Sequence, residues 1–323
     1  MNIKTDYKAL NYHHDFIWSL LLLKDNRIAS CSNDHLINIY DPSNDYALDI
    51  SITDLPDKVN SICQLDNENL ISSCNNNSIY IWHITKTAYH LIHVIKQAHF
   101  IPIQKIVSLS NNYFASCSDI INIWNLNFPY VNKPFKTISI ENYSFTTMLY
   151  IKNQNLLIAS SYKENILLFN MKTYQCVTFI DEAYCFFQKA MYQIDSNHIV
   201  IGYRNIVYMI DIDTGKKEML FELKTYINVY SFIKVNNILL CGSDHGKIYK
   251  YDIEKKSLEC IKSNNNHSVF DIVQVNKDEI AFSVFSTIKV WKISNDKNKK
   301  EQLLHYIGLL MLVISVIVLY YII

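Results

Sequence analysis

The feature that most restricts this chain is a period. An aromatic or apolar residue closes a strand-like run and is followed by Asp, Asn, His or Lys. The pattern occurs as INIYD at Tyr40, IYIWH at Trp82, INIWN at Trp124, LLFN at Phe169, YMID at Ile210, YKYD at Tyr251 and KVWK at Trp291. The steps between these positions are 42, 42, 45, 41, 41 and 40 residues. A unit of that length cannot cover its own apolar faces, so neighbouring units must stack and cover each other.

Inside each unit the polarity alternates with period two. The first unit opens with IWSL from Ile17, turns at KDNR, continues with IASC from Ile28, turns again and runs through LINIY to Tyr40. A fourth run follows the closing dipeptide, as from Tyr46 to Ile52 and from Tyr174 to Ile180. Four short alternating strands joined by polar turns make one twisted sheet. Seven such sheets around an axis predict an all-β, seven-bladed β-propeller over residues 1–294. The seventh unit lacks a fourth run after Trp291, and the run Tyr7-Lys8-Ala9-Leu10 precedes the first unit without a sheet of its own. The N-terminal run is therefore predicted to become the outer strand of the last blade, closing the ring and removing an open edge.

These segments resemble the WD-repeat family. ASCSNDHLINIYD in the first unit and LLCGSDHGKIYKYD in the sixth carry its small-residue run, turn Asp and aromatic-Asp ending. The resemblance implies a buried hydrogen-bonded set of His, strand Ser, turn Asp and Trp in each repeat. In the third repeat this is His99, Ser116, Asp119 and Trp124. In the first it is His14, Ser30 and Asp34, with Tyr40 in place of Trp. His267, Trp82, Tyr251 and Trp291 occupy further repeat positions, while the fourth and fifth units have neither the His nor the Trp. All of these are expected to be structural.

Basic and acidic residues number 30 each, for a formal net charge of +0. That balance argues against a nucleic-acid partner, which demands a basic surface. Abundant Asn and only 5 Gly read as genomic codon bias. Of the eight Cys, Cys31, Cys74, Cys117 and Cys241 end strand-like runs and are expected to be small buried side chains. No ligand spacing suggests a metal, and no cofactor is expected. The N-terminal residues lack an apolar signal region, so free thiols in a reducing compartment are expected, with the sequons at Asn76, Asn142 and Asn266 left unglycosylated.

Residues 303–323 change character: 21 residues without a charge. As a helix they would extend about 31 Å, the thickness of a hydrocarbon core. Tyr306, Tyr320 and Tyr321 lie near the ends, where aromatic rings favour the interface, and His305 sits at the entry. The polar linker 295–302 carries Lys297, Lys299 and Lys300, which favour the cytosolic side. The chain thus reads as tail-anchored, with its propeller in the cytosol. The endoplasmic reticulum and the mitochondrial outer membrane are equally compatible.

No GxxxxGK[ST], GxGxxG, GxSxG or HExxH pattern occurs, and no enzyme activity is expected. The leading reading is an interaction scaffold whose partner is a protein. Its candidate contacts are Trp18, Asn60, Gln104, Lys189 and Phe270 around the channel mouth, with Arg204 in a turn of the same rim. Trp, other aromatics and Arg dominate interfaces. The alternative is a membrane-anchored exchange factor for a small GTPase at the endoplasmic reticulum, suggested by the same plan of propeller and span. Its Gly-rich ion-binding loop is missing from the first unit. A phosphoinositide-binding propeller would carry a basic Phe-Arg-Arg-Gly signature, for which Gly202-Tyr203-Arg204-Asn205 is no substitute.

Overall fold

A strand covered on both faces should be apolar nearly throughout, and one covered on a single face should alternate. In blade 1 the second strand, Ile28–Ser32, is buried along its whole length between the inner strand Ile17–Leu22 and the third strand Ile37–Asp41. The outer strand of blade 2, Tyr89–Ile95, has a single buried residue, Ile95, and three exposed ones, His90, Leu91 and Ile92. This computed structural model describes residues 2–127, 131–163, 165–181, 190–223, 227–262 and 267–294. Among them lie seven four-stranded antiparallel sheets, one per sequence period.

The ring closes through its N-terminus. Blade 7 takes three strands from Val269–Asn276, Glu279–Val284 and Thr287–Ser294, and its outer strand is Asn2–Leu10. Tyr7 lies opposite Trp291 and Leu10 opposite Ile288. The strand begins five positions before the run read from the sequence, and a register shift lies between Ile3 and Tyr7.

The core is not one mass but seven seams, each between two adjacent blades. Trp82 fills the seam of blades 1 and 2, and Tyr40 that of blades 7 and 1. The inner strands touch in sequence order around the ring, and the first touches the last. Small residues keep these seams tight. A Cβ on Gly242 would stand 2.6 Å from Ser231 Oγ and 2.8 Å from Val269 of the next blade. Cys31, Cys74, Cys117 and Cys241 are buried free thiols. Burial pushes the Cys117 thiol up to about 12, so it stays protonated and inert.

The two ends of the strands define two rims. The upper rim carries the turns between second and third strands together with the connections from one blade to the next. The lower rim carries the turns between inner and second strands and between third and outer strands. Many of these turns need a residue at positive φ. Seventeen non-Gly residues adopt it among the described residues, and seven of them are Asn, including Asn26, Asn77, Asn112, Asn155 and Asn236. Asn tolerates the left-handed region better than other side chains because it hydrogen-bonds locally. The Asn content set down above to codon bias therefore does structural work where Gly would ordinarily stand.

Among the described residues no helix is long and apolar enough to cross a membrane. Residues 295–323, which hold the linker and the apolar stretch 303–323, lie outside them.

Candidate partner-binding face

Three blades carry polar ties through the second-strand Ser that sits two residues beyond the partner of the closing aromatic. In blade 3, His99 Nε2 and Ser116 Oγ are 2.7 Å apart, and Trp124 Nε1 donates to the same Oγ at 2.8 Å. Asp119 Oδ1 lies 3.6 Å from His99 Nδ1. With the carboxylate beside Nδ1, the neutral ring carries its proton there and Nε2 accepts from Ser116. In blade 2, Trp82 Nε1 donates to Ser72 Oγ at 2.9 Å.

In blade 1 the ring that meets Ser30 is His13, not His14. His13 Nε2 lies 2.7 Å from Ser30 Oγ, and His13 Nδ1 lies 2.8 Å from Asp34 Oδ2. His14 is exposed and contributes only its backbone N–H to Asp34. The sequence presents two adjacent His residues, and only the direction of the connecting loop separates them. Burial opposes the Asp34 carboxylate, but the bond and charge of His13 and the amides of His14 and Leu36 outweigh it and hold its pKa below the usual value. The Ser30–His13–Asp34 distances match those of a nucleophilic relay. Ser30 is fully buried, however, so the set ties a loop to a strand and offers no attacking group to solvent. Tyr40 packs beside it, and burial pushes its phenol up to about 12.

The remaining blades replace the Ser. Its place is taken by Ala159, Ile201, Cys241 and Phe282, opposite Leu167, Tyr208, Tyr249 and Lys289. His267 therefore has no hydroxyl to meet. It is exposed and stacks on Phe285 at 4.8 Å, which corrects its assignment to a buried set. Tyr251 packs against Phe221 at 4.8 Å. Trp291 packs against Phe282 at 4.5 Å, and its buried Nε1 meets no acceptor among the described residues. This contrast predicts a difference between two otherwise similar substitutions. Trp82→Phe gives up a hydrogen bond worth about 1 kcal/mol beyond the lost volume. Trp291→Phe removes an N–H that had no partner, and is expected to cost less. Equal shifts in urea midpoint for the two variants would refute the assignment.

The upper rim gathers aromatic rings where blades 6, 7 and 1 meet. Trp18 lies 5.2 Å from Phe270 and 6.0 Å from Phe16. Phe16 lies 5.5 Å from Phe270 and 4.8 Å from Phe285, and Tyr230 of blade 6 lies 5.0 Å from Phe270. Trp18 Nε1 donates to Asn33 Oδ1 at 2.6 Å, and Tyr230 Oη donates to Asp244 Oδ1 at 2.6 Å. Phe16, Trp18, Phe270 and Phe285 are only half-buried. Phe285 sits in an upper turn at φ 54, and its carbonyl accepts from Ile17 N of blade 1 at 2.9 Å. A bulky residue in the left-handed region is uncommon and marks a held turn.

A family model described as "WD domain, G-beta repeat" matches residues 5–41, from within the N-terminal strand to the end of the third strand of blade 1. The chain is a seven-bladed β-propeller whose first blade matches a WD repeat. No curated protein matches it. Within this propeller the other candidate contacts lie apart from the cluster. Asn60 donates to Ile103 O at 3.0 Å and Gln104 to Pro102 O at 3.1 Å, so both amides are engaged in holding upper-rim loops. Arg204 is exposed at a positive-φ turn of blade 5, 5.2 Å over the Tyr203 ring. Lys189 lies outside the described residues. Phe16, Tyr230 and Phe285 were missed by sequence reasoning. A Phe in a turn that carries charged or amide side chains in the other units, as at Phe285, was the available signal.

Proposed function

We propose that this propeller is a non-enzymatic interaction scaffold, held at the cytosolic face of a membrane by residues 303–323. Its protein partner seats on the aromatic cluster of the upper rim. One observation carries the reading: Phe16, Trp18, Phe270 and Phe285, drawn from blades 1 and 7, form a continuous half-buried run around the seam that closes the ring. Rigid aromatic rings at a rigid scaffold's loops are the usual anchors of a protein interface. The exchange-factor reading has only the plan of the chain in its favour, whereas the scaffold reading has a surface.

The test is proximity labelling from the full-length protein, followed by affinity measurement on the partner recovered. Trp18→Ala and Phe270→Ala are expected to weaken capture roughly thirtyfold or more. Arg204→Ala reports whether the interface extends to blade 5. Because the rings are half-buried, thermal midpoints should stay near that of the parent. Loss of folding in both ring variants would make the cluster a packing feature and sink the proposal. For the anchor, full-length protein should resist carbonate extraction and a chain ending at residue 300 should not. Leu312→Arg with Val313→Arg should weaken insertion, by about 2.5–3.5 kcal/mol for each Arg at the span centre.

A further inference from the structure

The lower rim is not uniform. Its turns in blades 1, 2, 5, 6 and 7 mix charges of both signs, and some are neutralised on the spot, as Lys255 is by Asp252 at 3.6 Å. The described residues of the lower turns of blades 3 and 4, 109–112, 125–127, 131–135, 152–155 and 170–174, contain no Asp or Glu. They and the adjoining start of the blade 3 outer strand hold Lys133, Lys136, Lys152 and Lys172, all exposed. Asp66 of blade 2, which accepts from the Asn111 amide, and Asp195 of blade 5 flank the sector.

Apolar side chains stand among these lysines. Phe135 and Val177, at the lower ends of the two outer strands, are each 54% exposed. Tyr113 and Tyr174 pack on either side of Phe135, at 5.4 and 6.4 Å. Between the blades opens a cleft of about 180 Å³ whose walls include Tyr113, Tyr150 and Tyr174. An exposed Phe ring and half-buried Tyr rings interleaved with lysines, without carboxylates in the same turns, match the chemistry of a bilayer interface. The rings sit at headgroup level and the ammonium groups meet anionic headgroups.

The place of this sector in the ring supplies the second argument. The third strand of blade 7 runs from the upper rim down to Ser294, which pairs with Asn2 at the lower rim. Eight residues, 295–302, separate Ser294 from the apolar stretch. Whatever their conformation they span at most about 29 Å. The upper rim lies roughly 26 Å from Ser294, the length of that eight-residue strand, so only a linker stretched almost fully along the side of the disc would reach it. Entry at residue 303 below the disc needs no such stretching, and conformational entropy favours it. Counting around seven blades, blades 3 and 4 stand three steps from blade 7 in either direction, directly across the ring.

We infer that the lower face of blades 3 and 4 is a docking surface for an anionic phospholipid bilayer. With the tail at blade 7 it forms a two-point attachment that lays the disc flat and turns the aromatic cluster of the upper rim toward the cytosol. The orientation rests on the tether proposed above; the lipid chemistry of the sector does not.

The experiment is hydrogen exchange on the full-length protein in phosphatidylcholine nanodiscs with and without phosphatidylserine, repeated at high salt. Amides of residues 131–136 and 171–176 are expected to exchange at least fivefold more slowly on the anionic discs, and those of the upper turns 33–36 and 203–206 to be unaffected. Each lysine at such a surface adds roughly fivefold to the partition, so Lys133→Glu with Lys172→Glu should abolish the protection. That variant should keep its melting point and stay on the discs through the tail. Retention on both kinds of disc with no slowing of the lower turns overturns the docking surface and leaves the tether. Binding to anionic discs alone, released by salt and with the lower turns slowed, upholds the docking surface and overturns the tether. No association with either disc, or slowing of the upper turns instead, overturns both the surface and the orientation.

Discussion

Removing residues 2–10 is expected to cost this propeller its cooperative unfolding. The segment supplies the entire outer strand of blade 7, and Leu10 is buried in the seam between blades 7 and 1 with Ile17, Ile28 and Ile288. Leu10→Ala alone should cost about 2–5 kcal/mol, as other buried Leu truncations do. The deletion adds the lost ladder beside Thr287–Ser294 and exposes that strand as a pairing edge. Stabilities of whole domains are only about 5–15 kcal/mol, so the truncated chain should melt broadly and far below the parent, and aggregate. A synthetic peptide of residues 2–10 added in trans should restore part of the midpoint. An unchanged melt would mean that the ring is held by its other seams and the closure is incidental.

Acid should weaken blade 3 before blade 1. Burial drives the His99 imidazole down from its ordinary 6.5 to about 4, and Asp119 at 3.6 Å only partly offsets it. The folded ring thus stays neutral between pH 6.5 and about 4, while the unfolded chain takes up a proton below 6.5. The unfolded state binds more protons across that window, so stability falls with pH there, by on the order of 3 kcal/mol at its lower end. Above pH 6.5 the group has no effect. In blade 1 the Asp34 carboxylate is held below 3.8, so its contribution is present above that pH and lost only below it. The two windows do not overlap. Urea midpoints of the parent and of His99→Gln from pH 7 to pH 4 separate the effect: the parent should lose more than the variant. Parallel curves would show that His99 protonates as readily in the fold as in the unfolded chain.

Much of the architecture was written in short-range pattern. The steps between Tyr40 and Trp291 count the blades because each closing residue ends a third strand, and burial between blades forces the same register in every unit. The unmatched run at Tyr7 and the missing strand after Trp291 point to each other because an unpaired edge in a ring has only one place to be filled. In blade 3 the set His99, Ser116, Asp119 and Trp124 was legible as a pattern because all four residues lie within one repeat.

Contacts between repeats were not legible in the same way. Nothing in the string His13-His14 says which ring turns inward; the loop that enters Ile17 decides it, through bonds to Ser30 and Asp34. The aromatic cluster joins Phe16 to Phe270 and Phe285, and the lysines of the lower rim come from turns up to 39 residues apart, at Lys133 and Lys172. A period reports what each unit repeats, because identical positions feel the same neighbours. It is silent on what the units do not share. A surface patch is built from those departures, and their meeting depends on how seven sheets are turned around one axis.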